Sequence, residues 1–466
     1  MFVLIEKLMR FMYTFAVSIR LYTLLSIVYS YVIEELTVDG ATIRPSKHAK
    51  NNKYTILILT SKAFRQDIEC IVATNEFRVL RLPDHWQSRL IYNFYPEKFQ
   101  KYWREDMNPD HSDYKYKKEQ KELREFLHKF LIKLYKRIRI DCVISPHHRY
   151  VVDVDWGFVS TKMGIPHIMI PRDSQFASSP YFLNNRVKPL FGDGLPKFKG
   201  KHIIIQSELD KEVYIDSGYV SPERISSLGC PRMDSFVKRI KKNEYDPVNK
   251  RKKILLLPFS WSMTLEKSDL FSYICNVHLF FVQFAIQHPE IDVVMKPKPK
   301  QPGLPRKIDQ FIDGVLFTNC PVLTVLLNQL KGSSIEIEKI PNLTIRDDLD
   351  LHDLFFETDV VCGLQTSALL EAAVIGLPVI IPYFKDVQNQ KYDERLFYRD
   401  AYDFFDIAKD VNELESIITY RLHNPTIDEK IMEDRRAYFE KHISSVKGDA
   451  TEKYVALIRQ IVAEEE

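Results

Sequence analysis

At 466 residues, 45% of them hydrophobic and 28% charged, the chain has material for two or three cores, which excludes a disordered or low-complexity protein. Sixty-six Lys and Arg against 63 Asp and Glu leave a net charge of only +3, so bulk charge points to no nucleic-acid partner and any electrostatic argument has to be local. The six cysteines, Cys70, Cys142, Cys230, Cys275, Cys320 and Cys362, show no CxxC spacing, which suits buried free thiols in a reducing compartment better than a disulfide framework or a zinc site.

Phe11 to Ile33 is almost wholly apolar or aromatic, with Arg20 as its one charge. No small-residue cleavage site follows, and Glu34 and Glu35 come at once, so it does not read as a signal peptide. A membrane span would hold Arg20 near its middle at a cost of about 2.5–3.5 kcal/mol. A helix lying in the interface, with Lys7, Arg10 and Arg20 turned toward anionic head groups, avoids that cost; an aromatic-rich helix packed on the protein's own core is the alternative. The expectation is attachment of residues 1–35 to a membrane surface.

A first α/β domain is expected from Tyr54–Thr60, a strand, through a helix to a second strand at Phe77–Leu82. Residues 112–138 place Leu123, Phe126, Leu127, Phe130, Leu131 and Leu134 at helical spacing, so they form a long amphipathic helix whose Lys and Glu make a solvated face. Asp141–Ser145 gives a strand, Val151–Met163 a helix and Gly164–Ile170 another strand. His202–Gln206 and Ile225–Gly229 close this half, and Cys230-Pro-Arg-Met-Asp-Ser-Phe236 opens a helix. Lys241–Lys253 is charged, carries Pro247 and lacks an apolar period, which marks a linker. The second half starts at Ile254–Pro258, continues through a long helix to His288 and a strand at Ile291–Met295, and ends in largely helical sequence from Asn412 to Ile461.

The most informative stretch is Asp359–Pro382. Val360 to Cys362 is an apolar run, Gln365, Thr366 and Ser367 supply small polar residues where a helix should start, and Gly376-Leu377-Pro378 stops that helix before the next apolar run. A helix start at the carboxyl end of a strand presents unpaired N–H groups and partial positive charge, which suits a phosphate. Glu371 is four residues beyond Ser367 and shares its face, so its carboxylate can accept hydrogen bonds from a ribose. A plain βαβ unit, with Thr-Ser as a cap and Glu371 solvated, is the competing reading.

This stretch resembles the carboxy-terminal half of GT-B glycosyltransferases and of their relatives, the sugar-nucleotide 2-epimerases and the CDP-glycerol glycerophosphotransferases. The run from Ile203 to Asp210, then Gly218-Tyr-Val-Ser-Pro-Glu-Arg-Ile225, then Gly229-Cys-Pro-Arg-Met-Asp234 is similar to the interdomain signature of bacterial surface-carbohydrate transferases. The resemblance covers most of residues 54–460. It implies a GT-B-like α/β fold, with two Rossmann-like domains facing a cleft and preceded by an apolar helical segment: residues 1–52 the segment, 53–240 the acceptor domain, 241–252 the linker and 253–466 the nucleotide-donor domain. It also implies a carboxy-terminal helix that crosses back to the first domain.

Candidate chemistry falls at strand ends. Lys296-Pro-Lys-Pro-Lys300 follows a buried strand, where open α/β sheets bind ligands, and its prolines keep Lys296 and Lys298 extended toward phosphates. Similar proteins carry His where this chain has Lys298. Arg232 either grips a diphosphate or pairs with Asp234 or a helix end as a clasp. Pro146-His147-His148-Arg149 follows another strand, with Asp153 and Asp155 opening the next helix; His147, His148, Asp153 and Asp155 are the candidates for the base that takes a proton from an acceptor hydroxyl. Pro171-Arg172-Asp173-Ser174 is a further set. The Asp-x-Asp pairs 153/155 and 348/350 are not read as metal sites, because cationic side chains and a helix start can stabilise a leaving phosphate.

The expected function is transfer of a sugar or related polyol group from a nucleotide donor to a surface polysaccharide or lipid-linked acceptor. Lys296, Lys298, Gln365, Thr366 and Ser367 would hold phosphate and Glu371 the ribose. No cofactor and no metal is expected, the nucleotide sugar being a substrate, and the chain would work in the cytoplasm, peripheral at the inner face of the membrane. A sugar-nucleotide 2-epimerase and a non-catalytic GT-B-like binding subunit are the rival readings.

Overall fold

The computed structural model describes residues 13, 15–45, 53–59, 65–95, 116–146, 151–171, 183–189, 191–192, 197–242, 251–258, 270–297, 310–312, 315–317, 326, 330, 332–389, 396 and 398–465. The chain divides into two compact units. One comprises Met1–Phe176, Leu183–Ser235 and Lys441–Glu466, and the other Ala177–Phe182 and Phe236–Glu440. Each is an α/β unit built on a largely or wholly parallel sheet, as the sequence pattern predicts.

In the first unit the strands are β1 (Glu34–Leu36), β2 (Thr42–Ile43), β3 (Thr55–Ile58), β4 (Arg78–Arg81), β5 (Cys142–Ser145), β6 (His167–Met169), β7 (His202–Ile205) and β8 (Ile225–Ser227). Their order is β2-β1-β4-β3-β5-β6-β7-β8. From β4 to β8 every pairing is parallel, and the order reverses between β3 and β5. Period-two alternation sorts the strand residues to opposite faces. Leu57, Leu59, Leu80, Leu82 and Val143 pack with Leu123, Phe130 and Trp156 on one face. Ile56, Ile58, Val79, Cys142, Ile144 and Ile168 pack with Ile68, Ile71, Tyr454 and Ile458 on the other.

Two features of this unit depart from the sequence reading. Glu34 and Glu35, at the charged end of the apolar run, form an antiparallel strand between β2 and β4. Glu35 pairs with Arg78 at 2.8 Å and Glu34 with Arg81 at 2.6 Å. The helix before them, Tyr22–Val32, buries Leu25, Ser26, Val28 and Tyr29. Tyr29 is 0% exposed, donates its hydroxyl to the Trp86 carbonyl at 2.8 Å and meets the rings of Trp86 and Phe130 edge-on. The amino-terminal segment therefore belongs to the first core on one of its faces. No helix among the described residues is long and apolar enough to cross a membrane.

In the second unit the strands are β9 (Lys253–Leu257), β10 (Asp292–Met295), β11 (Gln310–Ile312), β12 (Val315–Phe317), β13 (Leu343–Ile345), β14 (Val360–Gly363), β15 (Val379–Pro382) and β16 (Asp406–Ala408). Among the described residues β11 and β12 pair only with each other, and the rest form one sheet in the order β13-β10-β9-β14-β15-β16, parallel throughout. This is the order of a dinucleotide-binding sheet, with its reversal between β9 and β14. Asp359 ties those two strands at their start, accepting from the Lys253 amide at 2.8 Å and from Lys252 Nζ at 2.8 Å. Gly363 closes the far end, where an added Cβ would come within 3.2 Å of Leu257 and Leu369.

The Gly229–Asp234 element is a clasp within the first unit. Gly229 has φ +84° and lies against Ser444 and Ala450, where a Cβ would collide. The Cys230 amide donates to Ser444 Oγ at 2.8 Å. Asp234 accepts from the amides of Ala450 at 3.0 Å and Thr451 at 2.7 Å, which caps helix Ala450–Ala463. That helix packs on the same face as Ile56 and Ile144.

Candidate functional site

In an open α/β sheet a ligand sits outside the carboxyl ends of the strands where their order reverses. In the second unit that point is the end of β14, and the chain there runs Gly363-Leu364-Gln365-Thr366-Ser367 into helix Ala368–Ile375. Gln365 adopts φ +62°, a conformation that a residue with a Cβ rarely takes. Ser367 is already helical at φ −64° with no side-chain cap bond, and Thr366 Oγ1 accepts from the Ala368 amide at 3.4 Å. The helix ends at Gly376, φ +102°, whose amide bonds back to Ala372 and Ala373.

Behind this helix Arg435, only 2% exposed, donates to the carbonyls of Leu377 at 2.9 Å, Ala373 at 3.4 Å and Phe404 at 2.7 Å. Its charge faces the helix end where carbonyls are left over. Burial pushes its pKa down to about 10, against the pull of Asp406. The sequence reading missed this brace, because its partners are main-chain atoms 31 to 62 residues away.

Glu371, one turn into the helix, is 7% exposed. Its Oε2 lies 3.0 Å from His352 Nε2, and Oε1 has no partner among the described residues. His352 belongs to helix Leu351–Glu357, which Asp350 caps by accepting from the Asp353 amide at 3.0 Å. Its ring stacks on Phe236 at 4.2 Å between centroids. Glu371 is thus neither solvated nor idle: one oxygen is fixed by a histidine that is itself held by an aromatic face.

Lys296 follows β10 as expected but is more enclosed than the sequence suggested, at 8% exposed. Its ammonium lies 3.5 Å from the carbonyls of Pro297 and Asp347, the outer limit of a hydrogen bond. Burial lowers its pKa, while Asp347, Asp350 and Asp348 act to raise it. Asp348 forks with Arg346 at 2.8 and 2.9 Å, so the second Asp-x-Asp pair serves a turn and a helix cap.

In the first unit the structure corrects several expectations. Asp153 and Asp155 are 0% and 1% exposed. Gln87 donates to Asp153; Arg124 pairs with Asp155 at 2.6 Å and the Tyr95 hydroxyl lies 3.2 Å away. Burial drives the Asp155 carboxyl upward against the opposing pull of Arg124. Both aspartates hold helix Val151–Lys162 against its neighbours, and neither is set out as a base. Arg232 donates to Asp67 at 2.6 Å and Asp67 also accepts its amide at 3.2 Å, so its fork belongs to the clasp. His147, His148, Lys298 and the 172–174 set lie outside the described residues. The strand that His147 and His148 follow, β5, is one of the two flanking the reversal point of the first sheet.

The sequence matches no family model and no curated protein. Among solved structures, a UDP-GlcNAc 2-epimerase from Neisseria meningitidis bound to UDP-GlcNAc is similar at 12% identity over 88% of this chain and 100% of that one, with a TM-score of 0.45. The wall teichoic acid polymerase TagF is similar at 11% identity over 99% of each chain, with a TM-score of 0.48. The glycotransferase of kitacinnamycin is similar at 11% identity over 87% of this chain and 98% of that one, with a TM-score of 0.45. At this level of likeness the chemistry has to be read from the chain's own residues.

Proposed function

We propose that the chain transfers a sugar or related polyol group from a nucleotide-activated donor to a surface glycan or lipid-linked acceptor, with the donor held at the Gly363–Ala368 turn. The observation that carries the reading is that turn itself: a left-handed Gln365 at the reversal point of a six-stranded parallel sheet, opening onto a helix start. There the first amides of the helix and the hydroxyls of Thr366 and Ser367 meet the donor's phosphates. The ribose hydroxyls donate to Glu371 Oε1, while His352 fixes the other oxygen. Lys296 offsets the charge that develops on the leaving nucleotide, and the transfer runs without a metal or a cofactor. Since Asp153 and Asp155 are committed to the core, the proton of the acceptor hydroxyl goes to His147 or His148.

Incubation of the protein and native membranes with radiolabelled UDP-, CDP-, GDP- and CMP-activated donors tests the reading. Label in a glycan or glycolipid supports it. Epimerised free nucleotide sugar would establish the isomerase instead, and binding without turnover a non-catalytic subunit.

Membrane attachment is part of the proposal, and it rests on the outward side of the amino-terminal segment. Of the ten exposed large apolar side chains among the described residues, seven lie between Phe15 and Ile43, with Ile19 at 51% and Ile27 at 43%. Arg20 is exposed beside them and Arg44 sits 3.9 Å over the Tyr31 ring. An apolar stripe flanked by cations suits an anionic lipid surface. Ile19→Asp/Ile27→Asp should abolish sedimentation with anionic liposomes and leave the melting temperature unchanged; sedimentation equal to wild type would rule this face out.

A further inference from the structure

The first unit holds a pocket of about 690 Å³ between helix Lys117–Tyr135, helix Val151–Lys162, the start of β6 and the 197–200 segment. The size is that of a small-molecule site. It lies along β6, whose first and last residues His167 and Met169 both line it, and beside residues 197–200, which lead into β7.

Its charge is one-sided. Lys117, Lys121, Arg124, Lys162, Lys197 and Lys199 line it, against Glu125 and the buried Asp155 behind Arg124. Lys117, Lys121, Arg124 and His128 recur along one side of their helix, while Leu123, Phe126, Phe130 and Leu134 turn to the core. Like charges at this spacing repel and cost stability, and here two further elements add cations to the same concavity instead of carboxylates. A cleft lined by one sign of charge concentrates the field within it.

Several of these groups are held in place. Arg124 is fixed by Asp155 at 2.6 Å and lies with its guanidinium carbon 3.9 Å from the Phe158 ring centre; Lys162 Nζ is 4.8 Å from the same centre. Lys197 is anchored by the carbonyls of Phe191 at 3.2 Å and Ser217 at 3.3 Å. The floor is His167, bonded to Ser145 Oγ at 2.8 Å; a Cβ on Gly157 or Gly200 would run into its ring. Phe158, Phe198 and Tyr219 supply apolar wall.

We propose that this pocket binds a phosphate-bearing ligand, with the phosphate among Lys121, Arg124 and Lys162 and a sugar or other uncharged body against Phe158 and Phe198. Cations converging from separate elements suit the two charges of a phosphate better than a single carboxylate. The inference stands apart from the donor reading, because every residue in it belongs to the first unit.

The test is calorimetric titration of the full chain with inorganic pyrophosphate and, separately, with long-chain polyphosphate. Wild type, Lys121→Glu/Lys162→Glu and Lys296→Ala are compared. The pocket variant should bind at least about tenfold more weakly, with an unchanged melting temperature because both lysines are exposed. Lys296→Ala should retain the binding lost in the pocket variant. Equal affinity for both probes would mark a small phosphorylated ligand, and rising affinity with chain length a phosphodiester polymer. Binding by the pocket variant equal to wild type would overturn the proposal, as would loss in Lys296→Ala alone. If the charge-reversed protein does not fold, Lys121→Ala/Lys162→Ala gives the same comparison.

Discussion

Tyr29→Ala is the sharpest probe of the amino-terminal segment. If this segment only rested on a membrane, the substitution would change stability by a few tenths of a kcal/mol. The structure gives Tyr29 no exposure, a hydroxyl bond to the Trp86 carbonyl at 2.8 Å and ring contacts to Trp86 and Phe130 at 6.2 and 4.9 Å. Truncating such an aromatic costs about 3–5 kcal/mol, a large share of the roughly 5–15 kcal/mol that holds a domain together. Tyr29→Phe isolates the hydroxyl and should cost about 0.5–1.5 kcal/mol, the net worth of one hydrogen bond, because the Trp86 carbonyl stays within its own helix ladder. Urea unfolding followed by tryptophan emission measures both, since Trp86 and Trp156 lie beside the site. A cost below about 1 kcal/mol for Tyr29→Ala would refute the core assignment. The same packing means that deleting residues 1–35, which removes Leu25, Val28, Tyr29 and Ile33 from the core, should give an aggregating protein.

Stability should also fall in acid. Burial lowers the pKa of His167 and His278 to about 4 from 6.5, so between those values the unfolded chain binds more protons than the folded one and stability drops as the pH falls from about 6.5 toward 4. Each such group contributes up to about 1.4 kcal/mol per pH unit in that window; a urea midpoint independent of pH across it would contradict the buried, neutral assignment. Arg435→Met should cost about 2–5 kcal/mol, because it removes the guanidinium donor from the Leu377 and Phe404 carbonyls. A melting temperature within a degree or so of wild type would show that Arg435 does not brace that helix.

The legible parts of the chain were those with local period. The strands around residues 56, 144, 204, 255 and 361 and the helix at 117–135 follow directly from alternation or helical spacing. The Gly363–Gly376 turn and helix follow from a polar break between apolar runs. What stayed hidden depends on partners far along the chain. Glu34 and Glu35 become a strand because Arg81 and Arg78 lie 47 and 43 residues on, and Arg232 becomes a clasp because Asp67 lies 165 residues back. His352 was missed as the partner of Glu371 for the same reason. Asp153 and Asp155 were different: Val-Val-Asp-Val-Asp-Trp-Gly-Phe-Val is apolar on every side, which already marks a buried helix whose carboxylates must be paired inside.

The most direct test of the donor site is the affinity of nucleotide for the wild-type chain and for Glu371→Ala, measured by calorimetry on folded protein. Loss of charge-assisted hydrogen bonds from the ribose to Oε1 should weaken binding by about 1–3 kcal/mol, roughly 5- to 150-fold. Unchanged affinity in a folded Glu371→Ala protein, or no nucleotide binding by the wild-type chain, would contradict a donor site at this turn.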